Sequence, residues 1–168
     1  MSFIPAPPVS AAERPTSPDP LRRTLGHMAT SVTIVTTTHD GTPHGFTANS
    51  FAAVSRNPPL VTVFLDESAE CYPVFEVAEH VAINVLADGQ DHLARAFATR
   101  GADKFAIADV DEAHHAPILR DAMATILGAI QERYVVGDHL MLLIAVDDVH
   151  YRDREPLVYH NRVFRKLV

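Results

Sequence analysis

The chain has 168 residues, 47% hydrophobic and 21% charged, a balance that fits one globular domain around one core. Its formal net charge is -7 with ten histidines counted neutral, and no basic stripe is visible, which argues against a nucleic-acid binder. No apolar run reaches the ~18 residues that cross a bilayer, no basic-then-apolar leader opens the chain, and the single cysteine, Cys71, can form no internal disulfide, so a cytoplasmic protein is expected.

Residues 1–16 contain four prolines and little apolar periodicity, which predicts a flexible arm ahead of one domain over 17–168. Ser17 or Asp19 can cap a first helix. Leu21, Leu25 and Met28 recur at helical spacing and predict that helix over 20–29. The stretch SVTIVTTT at 31–38 is β-branched almost throughout and reads as a strand, and His39-Asp40-Gly41-Thr42 supplies a hairpin turn. The chain returns through HGFTANSFAAVS at 44–55, breaks at Asn57-Pro58-Pro59 and resumes as the strand LVTVFL at 60–65.

Residues 69–79 read as a helix that Pro73 limits to its first turn or kinks. VAINVLA at 81–87 is a strand, and Leu86, Gln90, Leu93 and Phe97 mark a helix over 88–99. Residues 100–116 are polar and irregular, and a short helix is expected after Pro117. Three strands follow, at 126–136, 139–151 and 156–167, the first two joined at Gly137-Asp138. Five to seven strands with three or four short helices, several strands apolar on both faces, predict a mainly β fold: a closed barrel with helices plugging or flanking it.

Thr47, Asn49, Ser50 and Ser55 place four neutral polar side chains within nine residues. Such groups can bind a phosphate, a polyol or the edge of a planar ring, or simply make a polar turn. Gly45 would let backbone approach a planar ligand. Asn84 interrupts an apolar strand and must pair with backbone or with a ligand; Gln90 lies one turn into the next helix. Arg100 and Lys104 bracket a polar segment and read either as solvated charge or as a phosphate clamp. Ser68 can cap the following helix or donate to an anion. His139 follows Asp138 at the head of an apolar strand, where a carboxylate can orient it. His114 and His115 lack spaced partners for a metal, and His150 reads as a strand-surface residue. There is no Gly-rich dinucleotide or P-loop fingerprint, no G-x-S-x-G elbow, and Cys71 has no histidine near it in sequence.

Five segments in this order resemble the short-chain flavin reductases that serve two-component monooxygenases: GHMATSVTIVTT (26–37), HGFTANSFAAVSRNPPLV (44–61), VAINVLADGQDHLARAF (81–97) with Asp103-Lys104-Phe105, GDHLMLLIAV (137–146) and PLVYHNRVF (156–164). The resemblance implies a Greek-key split β-barrel that binds FMN or FAD, takes hydride from NADH or NADPH, forms a homodimer and supplies reduced flavin to a monooxygenase. It implies that Thr47, Ala48, Asn49, Ser50 and Phe51 lie along the flavin, and that Ser55 and the segment Ser68, Ala69 and Glu70 help hold its ribityl and phosphate part. Asn84 and Gln90 would line the same region, with Lys104 near the phosphate. His139 and the segment from His160 to Phe164 would form the nicotinamide side. Ser31, Ile130, Ala145 and Phe164 depart from the usual residues of that family. The sequence leaves two other readings open: a flavin-binding sensor or carrier without turnover, and an oxidase of a vitamin B6 phosphate, which would need a stronger basic cluster.

Overall fold

The structure, a computed structural model, describes residues 20–111 and 115–167. The expected arm at 1–16, the caps Ser17 and Asp19, and His114 lie outside the described residues. The elements run α1 (Pro20–Gly26), β1 (Thr30–Ser31), β2 (Thr33–His39), β3 (Thr42–Ala48), β4 (Ala52–Arg56), β5 (Pro59–Asp66), α2 (Tyr72–Phe75) and β6 (His80–Val85). After them come α3 (Asp91–Ala98), a 3-10 turn (Phe105–Ile107), β7 (Val110–Asp111), β8 (Ile118–Leu119), β9 (Ala124–Val136), β10 (His139–Tyr151), β11 (Val158–His160) and β12 (Val163–Arg165).

Seven strands form one antiparallel sheet in the order β3-β2-β6-β9-β10-β5-β4. Its ends come together where β3 touches β5. There the Ser50 hydroxyl accepts the Phe64 N–H and donates to the Phe64 carbonyl, both at 3.2 Å, and so bridges two strands that share no ladder. The sheet thereby curls into the expected barrel, with α3 packed outside it and Phe75 of α2 buried in its interior cluster.

Side-chain alternation explains why β2 is buried on both faces. Val35 points into the barrel with Phe46, Val63, Ile83, Leu142 and Ile144. Its neighbours Val32 and Ile34 point outward, against Leu93 and Phe97 of α3 and against Leu119 and Leu157. The buried threonines between them are satisfied: Thr33 donates to the Ala48 carbonyl at 2.9 Å and Thr37 to the His80 carbonyl at 2.7 Å. The type of turn after β2 follows from Asp40 and Gly41, both at positive φ (49° and 73°), as a two-residue hairpin demands.

Several expectations are corrected. The segment 44–55 is not continuous: β3 ends at Ala48 and β4 starts at Ala52, because the Ser50 bridge turns the chain across the seam. The helix at 69–79 shrinks to α2, since Pro73 can sit only in a first turn. The first helix stops at Gly26. No helix follows Pro117; Ile118–Leu119 pairs instead with Val110–Asp111. The single strand at 156–167 is a hairpin, β11 and β12, reversed at Asn161 and Arg162, both at positive φ (51° and 62°). That hairpin joins β1 in a separate three-stranded sheet.

Candidate functional site

A cleft of about 360 Å³ opens where the barrel seam meets the C-terminal end of α3. The end of β3 supplies one wall, Phe46 to Ser50. The end of β5 and the loop after it supply another, from Phe64 to Cys71. Phe97 to Arg100 and Lys104 come from the end of α3 and the segment beyond, and His139 from the head of β10. His139 is placed there by register, for it pairs with Asp66 across the β5–β10 ladder.

The cleft is apolar at its base and charged at its rim. Phe46 and Phe97 are buried. Gly45 makes room for Phe97: a Cβ on Gly45 would lie 2.9 Å from the Phe97 ring and 3.0 Å from the Val35 carbonyl. The planar group that approaches this glycine is thus a protein side chain, which corrects the expectation of a ligand there. The Gly45 carbonyl accepts a hydrogen bond from Lys104 Nζ at 3.2 Å. Arg100 donates from its guanidinium to the Ser68 carbonyl. Each cation is therefore anchored to backbone, and each carries several N–H groups, so it can be held and still face an anion.

The loop between β5 and α2 is braced locally. Asp66 accepts the Ser68 N–H at 2.8 Å, and hydrogen bonds from Ser68 hold its carboxyl below the usual carboxylate range. Glu70 accepts the Gly101 N–H at 2.9 Å. On the far side, His139 Nδ1 lies 2.7 Å from Asp138 Oδ1, and the hydrogen bond from His139 pulls the Asp138 carboxyl down in the same way. Burial pushes the Cys71 thiol up, so it stays protonated at neutral pH.

Of the residues singled out in the sequence, Thr47, Ala48, Asn49, Ser50, Ser68, Ala69, Arg100, Lys104 and His139 meet around this cleft. Their hydroxyls are not equally free. Thr47 donates to the Ala94 carbonyl at 2.7 Å, and Ser50 is committed to Phe64. Asn49 is exposed and its amide reaches Thr30 Oγ1 at 3.3 Å.

The other candidates line no part of it. Phe51 packs against the barrel core, and Ser55 lies opposite Leu60 within the β4–β5 ladder. Asn84 is fully buried: its amide donates to the Ile34 carbonyl at 3.2 Å, and its oxygen accepts from the Leu119 N–H at 3.0 Å and the Thr125 hydroxyl at 3.2 Å. Gln90 caps its own turn, accepting the Ala87 N–H at 2.8 Å. His160 and Phe164 belong to the β11–β12 hairpin, where Phe164 sits on Tyr159 and under the Arg95 guanidinium, 4.9 Å from the ring centroid. Reasoning from sequence passed over Phe46, Phe64, Phe97 and Thr99 as lining residues. Phe46 and Phe64 lay in segments read only as strands, and Phe97 in the apolar spacing that marked a helix, so none carried a sign that it reaches a cleft.

Comparison with known proteins adds the family. Residues 25–168 match the model of the flavin reductase like domain. Among curated relatives, the actinorhodin polyketide dimerase of Streptomyces coelicolor is 41% identical over 151 residues, covering 88% of this chain and 85% of that protein. The reductase component of the 4-nitrophenol 4-monooxygenase/4-nitrocatechol 2-monooxygenase of Rhodococcus opacus is 35% identical over 147 residues, covering 88% of this chain and 80% of that protein. Among solved structures, the NADH:FAD oxidoreductase of Streptomyces globisporus, determined with NAD and FAD fragments, superposes with a TM-score of 0.83 at 34% identity, over 88% of this chain and 91% of that one. Sequence, barrel and cleft thus agree, and the chain belongs to the flavin reductase-like domain family.

Proposed function

We propose that this protein is an NAD(P)H-dependent flavin reductase, which transfers hydride from a nicotinamide cofactor to FMN or FAD and supplies the reduced flavin to a partner monooxygenase. The observation that carries this reading is the make-up of the cleft. Aromatic side chains form its base, two backbone-anchored cations stand on one side, and a carboxylate-braced histidine stands on another. Its volume of about 360 Å³ lies within the ~300–1,000 Å³ typical of small-molecule sites. An apolar base with cations at the rim suits a flat ring system joined to a phosphate, so the residues fit a flavin nucleotide.

When bound, the flavin supplies the hydride-accepting chemistry that side chains lack. The protein's own residues bind, orient and exclude water. The Thr47–Ser50 segment and Phe97 wall the ring region. Arg100 and Lys104 hold the phosphate, with Ser68 and Ala69 beside them. His139, fixed by Asp138, orients the nicotinamide and is needed for positioning rather than proton abstraction. The names of the relatives support NADH as donor.

A homodimer is part of this reading. Leu21 and Leu25 on α1, Met28 just beyond it and Val54 on the edge strand β4 are all more than half exposed, apolar surface of the kind a second copy would cover. Sedimentation at micromolar concentration tests it, and a monomer there removes this part. A cytoplasmic location is supported by the lone cysteine; among the described residues, no helix is long and apolar enough to cross a membrane.

The function is tested by anaerobic mixing of protein, flavin and NADH or NADPH. Catalytic bleaching of the oxidised flavin band is expected. In His139→Ala the nicotinamide KM should rise or turnover fall while flavin affinity holds. Flavin binding without bleaching would leave only a carrier or sensor.

A further inference from the structure

We propose that Glu70 is a positioning residue that latches the 99–104 segment beside the cleft and so selects flavins that carry a phosphate. This rests on the functional reading above. Two hydrogen bonds cross between the loop after β5 and the segment after α3, both donated by the latter: Arg100 donates to the Ser68 carbonyl, and the Gly101 N–H donates to Glu70 Oε2 at 2.9 Å. Gly101 has a φ of +72°, a conformation that glycine adopts without strain, so the direction of its N–H is set by the turn. Glu70 and Lys104 also form the partition between the main cleft and a neighbouring one of about 340 Å³ lined by His44 and Phe105.

A carboxylate in this place is otherwise a paradox. It repels any anion that Arg100 and Lys104 attract, and the repulsion grows where water is displaced. Direct contact with a phosphate therefore cannot be its use. Its use is explained if it acts on the chain: by holding Gly101 it holds Arg100 and, three residues on, Lys104 at the cleft. The rest of the 99–104 segment is tied to the body at its two ends, by the Thr99 hydroxyl to the Arg95 carbonyl and by Lys104 to the Gly45 carbonyl. Glu70 and Arg100 make the tie between those ends.

The test is fluorescence titration of FMN and of riboflavin into the wild type, Glu70→Ala and Glu70→Gln, with hydrogen exchange of the 99–104 segment measured before any flavin is added. In Glu70→Ala, FMN should bind about tenfold more weakly and riboflavin within about twofold of wild type, with faster exchange at Gly101. Glu70→Gln keeps an oxygen for the Gly101 N–H and loses the repelling charge. It should restore slow exchange and bind FMN at least as tightly as wild type. Unchanged or tighter FMN binding by Glu70→Ala overturns the latch, as does parallel weakening of both flavins. If the wild type binds neither flavin, the functional reading itself falls, a result distinct from three proteins that bind FMN alike.

Discussion

Two stretches of this chain carry polar side chains where apolar ones would be expected, and they use them oppositely. Around Asn84 every polar group is turned inward and paired: the amide joins β6 to β2, to β8 through Leu119 and to β9 through Thr125. Around the cleft, Arg100, Lys104 and His139 are each anchored by one partner and left with capacity to spare. A saturated polar group serves the fold, and an incompletely used one can serve a ligand. The contrast can be broken by experiment.

The largest effect should come from Asn84→Ala. It strands the Leu119 N–H and the Thr125 hydroxyl in the interior and should cost about 3 kcal/mol of stability, with flavin affinity of the folded protein unchanged. Chemical denaturation and flavin titration read the two quantities separately, and a loss of affinity without a loss of stability would reverse the assignment. Lys104→Ala should do the converse, weakening FMN by about 1.5 kcal/mol while changing stability by less than about 1 kcal/mol. Ser50→Ala sits between the two regions. It lines the cleft, yet its hydroxyl closes the seam at Phe64, so about 1 kcal/mol of stability should be lost along with a smaller loss of flavin affinity.

The smallest effect concerns pH. Burial above all, then His39 and Lys104, holds the His44 imidazole below its ordinary value of 6.5. The unfolded chain therefore takes up protons before the folded one does, and stability falls as the pH drops below 6.5. His44→Gln should flatten the fall in melting temperature over that window, and an identical slope in both proteins would show that His44 is not its source.

Much of the fold was legible because β-branched runs and turn residues leave local marks. The strands β2, β5, β9 and β10 and the Asp40-Gly41 turn could be read directly. The breaks could not. The gap after Ala48 exists because Ser50 meets Phe64 across the seam, a contact between positions 14 residues apart that no local pattern records. The reversal at Asn161-Arg162 lacks glycine, so the last segment read as one strand. In the site, the polar run at 47–50 and the cations Arg100 and Lys104 could be picked out by chemistry. Asn84 and Gln90 looked the same on the page, because a lone polar residue in an apolar run does not say who its partner is. Glu70 was marked only through the resemblance, as part of the segment beside the phosphate; its bond to the Gly101 N–H depends on where the chain turns 31 residues later.

Gly45 has a bearing on any attempt to redesign the cleft. Its missing side chain seats Phe97 of α3, and its carbonyl accepts from Lys104. Even a methyl group at this position would shove the aromatic base and loosen the charged rim in one stroke. Libraries meant to accept bulkier coenzymes should leave position 45 alone and diversify Asn49, which stands in solvent and makes only a long 3.3 Å contact to the Thr30 hydroxyl.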